Sequence, residues 1–170
     1  MLLHLQKRRA SLLNYFNEVA PNLPIRLPNV NKTDKVLFAC HGRKYRIQDN
    51  KNIYTLDVFS EALPDFKISL KSRNFTKLLS KYENYFDKIY MLHCPIPAFL
   101  IKRKHYVPNK LVFNNLKFLL KNNGQIILNN FVLFVKNNTK KFNTGEYFLS
   151  YLNGFAIVKE TSEKLILRKL

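Results

Sequence analysis

Apolar and polar positions change period several times along this chain, and each change marks an element. From Leu2 to Val19, Leu5, Leu12, Leu13, Phe16 and Val19 recur at largely helical spacing, which predicts an N-terminal helix. Pro21, Pro24 and Pro28 then break the pattern and predict an extended lead-in up to residue 34. Lys35 to Cys40 is apolar on both faces, as a buried parallel strand requires. Asn52 to Asp57 is a second strand, rich in β-formers and ending on a carboxylate. Pro64-Asp65 introduces a third, Phe66 to Leu70. Asn74 is placed to cap a helix from Phe75 to about Tyr85, and Phe86 to His93 is a fourth strand closed by Cys94-Pro95. A long basic loop leads to a helix over Lys110 to Lys121 with Leu111, Leu116, Leu119 and Leu120 on its apolar side. Asn123-Gly124 is expected to stop that helix before a fifth strand, Gln125 to Leu128.

The tail differs. Glu146 to Leu152 reads as a helix ended by Asn153-Gly154, and Phe155 to Lys159 and Lys164 to Arg168 read as two strands. The joint Thr161 to Glu163 is too short for anything but an antiparallel hairpin. Successive βα units followed by such a hairpin predict a doubly wound, Rossmann-like α/β sheet over residues 35–170, in strand order 3-2-1-4-5 with the last strand antiparallel beside strand five.

Charge adds a second theme. The 170 residues carry 29 Lys+Arg against 11 Asp+Glu, a net charge of +18, which favours a polyanionic partner such as nucleic acid. Biased composition with solvated lysines is the competing explanation, since no Arg-rich tail concentrates the charge. Lys7, Arg8 and Arg9 follow the apolar Met1 to Leu5, the reverse of the order in a signal peptide. The longest apolar stretch, Ile126 to Val135, falls short of the ~20 residues that span a bilayer. Two cysteines, Cys40 and Cys94, do not make a secreted disulfide framework. The expectation is a soluble intracellular, cytoplasmic protein without membrane contact, with possible entry into a protein assembly.

Four pieces, in order and spacing, carry a family resemblance: Tyr54-Thr-Leu-Asp57, Phe86-Asp87-Lys-Ile-Tyr90, Leu119-Leu-Lys-Asn-Asn-Gly124-Gln-Ile-Ile127, and Leu152-Asn-Gly-Phe155. Together they resemble the class I S-adenosylmethionine (SAM)-dependent methyltransferases, and the composition is similar to that of divergent members from large DNA viruses. The resemblance implies SAM as cofactor, held by the first loop (Cys40, His41, Gly42) and by Asp57, whose carboxylate would accept the ribose hydroxyls. It implies that His93, Cys94 and Pro95 stand where amino-methylating relatives place their target-orienting motif, with His93 a candidate general base. Only one glycine, Gly42, stands in the Cys40 to Lys44 loop, and His41 to Lys51 is barely long enough for a crossover.

In an open parallel sheet, ligands bind beyond the carboxyl ends of the strands at the switch in strand order. That edge gathers Cys40, His41, Asp57, His93 and Cys94. Alternation within each Cys-His pair sends side chains to opposite faces, so no metal site is expected. The basic stretch Lys102, Arg103, Lys104, His105 leaves strand four on the same edge, with Tyr106 available to stack on a base. Lys136, Lys140 and Lys141 extend this patch. Two functions remain open: a SAM-dependent methyltransferase acting on nucleic acid, or a catalytically inactive basic module of that fold with a structural or nucleic-acid-binding role, for example in a virion.

Overall fold

The computed structural model describes residues 30–40, 50–60, 63–92, 94, 99–102, 106–129, 144–161 and 164–170. The expected N-terminal helix over residues 2–19, and most of the lead-in, lie outside them. Nine strands are described: β1 (Val36–Ala39), β2 (Ile53–Asp57), β3 (Phe66–Lys67), β4 (Phe86–Met91), β5 (Leu100–Lys102), β6 (Tyr106–Pro108), β7 (Leu120–Asn129), β8 (Phe155–Glu160) and β9 (Lys164–Lys169). Three helices accompany them: α1 (Phe75–Leu78), α2 (Lys110–Leu119) and α3 (Thr144–Leu149).

Seven strands form one sheet in the order β3-β2-β1-β4-β7-β9-β8. The first five are mutually parallel, and β7 serves as the expected strand five. The terminal hairpin joins the sheet as predicted, β9 running antiparallel beside β7 with Ile126 opposite Leu167. A doubly wound α/β fold is therefore present in the predicted order.

β1 shows why an unbroken apolar run makes a central strand. Val36, Leu37, Phe38 and Ala39 are all 1% exposed or less, and they divide between two clusters. Leu37 and Ala39 join the large core with Leu56, Ile89, Ile126 and the helix α2 residues Val112, Phe113 and Leu116. Val36 and Phe38 face the other way, onto Ile53, Tyr90 and Ile127. Asn109 starts α2 by accepting a hydrogen bond from the Leu111 amide at 3.1 Å. Buried Asn115 on α2 donates to the Leu70 and Ser72 carbonyls at 2.9 and 3.2 Å, tying the helix to the loop after β3.

Several local expectations are corrected. Asn74 makes no side-chain cap, and the helix it precedes lasts only to Leu78 before a 3-10 turn at Ser80–Tyr82. No acidic residue stands in that helix's first turn to offset the uncapped amides. The third strand is only Phe66–Lys67. Asn123-Gly124 does not stop α2, which ends at Leu119 and passes directly into β7. Phe86 pairs with Leu120 and Lys88 with Gln125, so the intervening residues bulge from the ladder, with Asn123 at φ 65°. A Cβ on Gly124 would lie 2.9 Å from the Lys121 carbonyl oxygen and 3.2 Å from that of Phe86. The glycine serves close strand approach, not helix termination. The last helix starts and ends earlier than read, at Thr144 and Leu149.

Candidate functional site at the carboxyl edge of the sheet

The order change that makes a crevice falls between β1 and β4, the two strands that start the opposite halves of the parallel sheet. Their ladder runs from Val36↔Lys88 to Phe38↔Tyr90. Just past it, Cys40 and Cys94 are joined in a disulfide with their Cα atoms 5.0 Å apart. The pairing closes a loop of 54 residues in sequence separation, a constraint on the unfolded chain that contributes about 4 kcal/mol. Cys40 adopts φ 60°, the left-handed region that a non-glycine residue enters at a cost of about 1–2 kcal/mol. Both cysteines are half-buried and pack against the main core. The sequence reading brought these residues to one edge but did not pair them. The available signal was that the chain's two cysteines terminate two strands predicted to be neighbours.

Asp57 ends β2 next to β1 and is 5% exposed. Its Oδ1 accepts the amides of Val58 at 2.7 Å and Phe59 at 3.1 Å, a local turn-capping geometry. Asp65 braces the same strand, its Oδ2 accepting the amide and hydroxyl of Thr55 at 2.8 and 2.9 Å. At the end of β7, the buried Asn129 Oδ1 has no hydrogen-bond partner among the described residues.

The basic stretch is not a simple loop. Lys102 and Tyr106 are paired in register in an antiparallel pair of strands, β5 and β6. Phe99, Leu100 and Val107 bury its root in the core, and the Asn109 amide donates to the Phe99 carbonyl at 2.8 Å to close it. His41, Gly42, His93, Pro95, Arg103 and Lys104 lie outside the described residues, as do His105, Lys136, Lys140 and Lys141.

Near this edge, burial raises the pKa of Tyr90, in the last β1–β4 ladder pair; other displaced ionisation constants belong to residues elsewhere in the fold. The hydrogen bond shared with Tyr85, together with burial, pushes Tyr54 up to about 12, and the two hydroxyls lie 2.8 Å apart. Burial pushes the Asp87 carboxyl up, but hydrogen bonds from the Lys121 ammonium and the Lys35 amide, at 2.7 and 2.8 Å, outweigh it and hold the group below the usual carboxylate range. Asp87 thus fastens the start of β4 rather than serving chemistry. Lys169, unmarked by any sequence signal, is 9% exposed and donates to Asn84 Oδ1 and the Leu120 carbonyl at 2.7 and 2.8 Å. Desolvation lowers its pKa. With Lys117, Asn114, Asn122 and Phe118 it lines a shallow cavity of about 450 Å³ at the amino edge of the parallel strands.

No protein-family model matches the chain, and no curated protein is significantly similar to it. Among solved structures, it superposes on the antibiotic-resistance methyltransferase Kmr with a TM-score of 0.53 at 11% identity, covering 87% of this chain and 97% of that one. The fold is methyltransferase-like. A protein from Corynebacterium glutamicum is similar in structure with a TM-score of 0.51 at 11% identity, covering 94% of this chain and 88% of that one.

Methyltransferases of this fold use SAM, and in an open parallel sheet a ligand would sit beyond the carboxyl ends of the strands at the switch point. The described residues do not fit that ligand while the disulfide stands. The Cys40–Cys94 bridge crosses the switch point, and the buried Asp57 Oδ1 is engaged by its own turn. No helix among the described residues is long and apolar enough to cross a membrane, and no cluster of three or more metal-ligating side chains occurs among them.

Proposed function

We propose that this chain is a basic module of methyltransferase-like fold that binds nucleic acid through its positive surface, without methyl transfer in the bridged form. The observation that carries the reading is the combination of a net charge of +18 with a disulfide across the crevice where a cofactor would lie. A polycation attracts the phosphate backbone at long range and gains affinity by counterion release, neither of which needs a cofactor. The β5-β6 hairpin supports the reading, because its root is buried by Phe99, Leu100 and Val107 while the sequence between its strands is basic. In this reading the aromatic residue type at Tyr106 suits base stacking.

The test is oligonucleotide binding by fluorescence anisotropy across a salt series. Affinity is expected to fall with rising salt and to show little sequence preference. Changing Lys102, Arg103 and Lys104 together to Ala should reduce the log-log slope by about two to three. The exposed residues Lys67, Lys71 and Lys77, near β3 and α1, provide the control triple change, with a smaller effect expected. Equal slopes for the hairpin variant and the unaltered chain would remove the hairpin from the interface.

A second reading, SAM-dependent methylation of nucleic acid, is favoured by one observation: a carboxylate, Asp57, stands at the end of β2 beside the switch point. It requires the crevice to be open.

A further inference from the structure

We propose that the cavity at the amino edge of the sheet is a nucleotide site, in which Lys117 and Lys169 take the phosphate, Phe118 flanks the base, and Glu83 with the neighbouring carboxamides meets the remaining polar groups. The choice of a nucleotide rests on the nucleic-acid reading above. The site lies at the opposite end of the parallel strands from the switch-point crevice.

Separate segments build it. On α2, Asn114, Lys117 and Phe118 stand at i, i+3 and i+4 and so share one face. The loop before β4 brings Glu83 and Asn84, the bulged start of β7 brings Asn122, and β9 brings Lys169. These segments are tied together at the end of α2, where the last carbonyls of a helix need outside donors. The Asn84 amide donates to the Phe118 carbonyl at 3.0 Å and the Tyr85 amide to that of Leu119 at 2.9 Å. The Lys169 ammonium takes the next carbonyl, that of Leu120, at 2.8 Å. The walls of the cavity are thus fixed by the fold itself. Its volume of about 450 Å³ falls in the ~300–1,000 Å³ range of small-ligand clefts.

Charge and donor supply decide what fits. Burial and the Lys117 charge both act against the charged form of Lys169, and Glu83 offsets them only in part. An entering anion supplies the missing counter-charge. Among the described residues, Lys169 spends two of the three donors of an ammonium, on Asn84 and Leu120, and Lys117 spends one, on the Asn153 carbonyl at 3.4 Å. Donors remain for phosphate oxygens. A bare anion would leave the carboxylate and the ring without a role. A nucleotide uses both, since a ribose hydroxyl or a base amine donates to Glu83 and the base stacks on Phe118. Each carboxamide offers donors and an acceptor to a base edge.

The experiment titrates the full chain with adenosine and uridine monophosphates and with inorganic phosphate by calorimetry, and with a short single-stranded oligonucleotide by fluorescence anisotropy. It is repeated on Lys117→Ala and on Asn114→Ala/Asn122→Ala. Both asparagines are exposed, and their loss removes no charge. The site predicts nucleotide binding weakened by about tenfold in the lysine variant and by about fivefold in the asparagine variant. The asparagine variant decides the matter, because a diffuse polycation responds to lost charge but not to lost carboxamides. A loss seen with the monophosphates identifies a free nucleotide as ligand, and a loss confined to the oligonucleotide identifies a nucleotide within a strand. Unchanged affinity of the asparagine variant for every probe would overturn the site, as would inorganic phosphate bound as tightly as the nucleotides. Salt-dependent oligonucleotide binding that ignores the asparagines would remove this site and leave the nucleic-acid reading standing. Monophosphate binding lost in both variants, with no oligonucleotide binding by the unaltered chain, would keep the site and remove that reading.

Discussion

At the scale of single residues, Asp57 shows how one side chain's local chemistry competes with a functional assignment. A carboxylate at the end of the second strand suits ribose hydroxyls, yet its Oδ1 already receives two backbone amides, from Val58 and Phe59. Charge-assisted bonds of this kind are the stronger class, and losing such a side-chain cap costs about 0.5–2 kcal/mol. Asp57→Ala is therefore expected to lower stability by that amount in the absence of any ligand, with Asp57→Asn, which keeps a carbonyl acceptor, losing less. Urea denaturation checks this, and an Asp57→Ala chain as stable as the unaltered one would show that the turn does not depend on the cap. Strand-end position was legible in the sequence. The engagement was not, because an acidic side chain at a turn has the same one-letter signature whether it faces a ligand or its own amides.

At the scale of elements, the junction of α2 and β7 decides how the sheet's two halves meet. The sequence marks Asn123-Gly124 as punctuation, but a helix stop and a bulged strand both use a left-handed residue beside a glycine. What separates them is the backbone of another strand: the Phe86 carbonyl oxygen lies 3.2 Å from where a Cβ on Gly124 would be. Gly124→Ala thus sets a methyl group against two backbone oxygens that cannot rotate away, and is expected to destabilise by about 1–3 kcal/mol. A thermal denaturation shift would measure it; an unchanged midpoint would mean that the bulge yields without penalty. Gly154, at the entry to β8, is limited differently: its φ of 77° strains any side chain, while the flexible end of Lys117 beside it can move away. The β5-β6 hairpin eluded the sequence reading for another reason. Lys102 to His105 lack the Asn-Gly or Asp-Gly signals of tight turns, and three-residue strands are too short to show alternation.

At the scale of the whole molecule, a surplus of positive charge must be reconciled with a compact fold. Carboxylates are scarce, and those that bind cations acquire weight beyond their number. Asp87 joins Lys121, at the start of β7, to the backbone of Lys35, before β1. Asp34 meets Lys88 at 2.7 Å across the same end of the sheet. Because the folded Asp87 carboxyl titrates below its unfolded value, its contribution is complete above the unfolded pKa and disappears as pH falls through the folded one. Below about pH 4 the chain should lose stability, and Asp87→Asn should weaken that dependence while lowering stability at neutral pH. Denaturation midpoints from pH 7 to pH 3 for the two chains provide the check; parallel curves would assign the acid loss to other carboxylates.

The sequence by itself determined the order and kind of the sheet elements, because periodicity and strand-end punctuation arise from neighbours along the chain. The apolar run at β1, the alternation of strands with helices and the short terminal joint marked the parallel strands and the antiparallel hairpin, while the strand order followed from the methyltransferase resemblance. Tertiary structure alone decided the pairing of Cys40 with Cys94 across 54 positions and the burial of Lys169 against Asn84 across 85. It also decided whether Gly124 served a helix or a strand. Each of these depends on register and close approach between strands. Interactions of this range are fixed only when the sheet assembles, since no local pattern records which backbone will lie a few ångströms away.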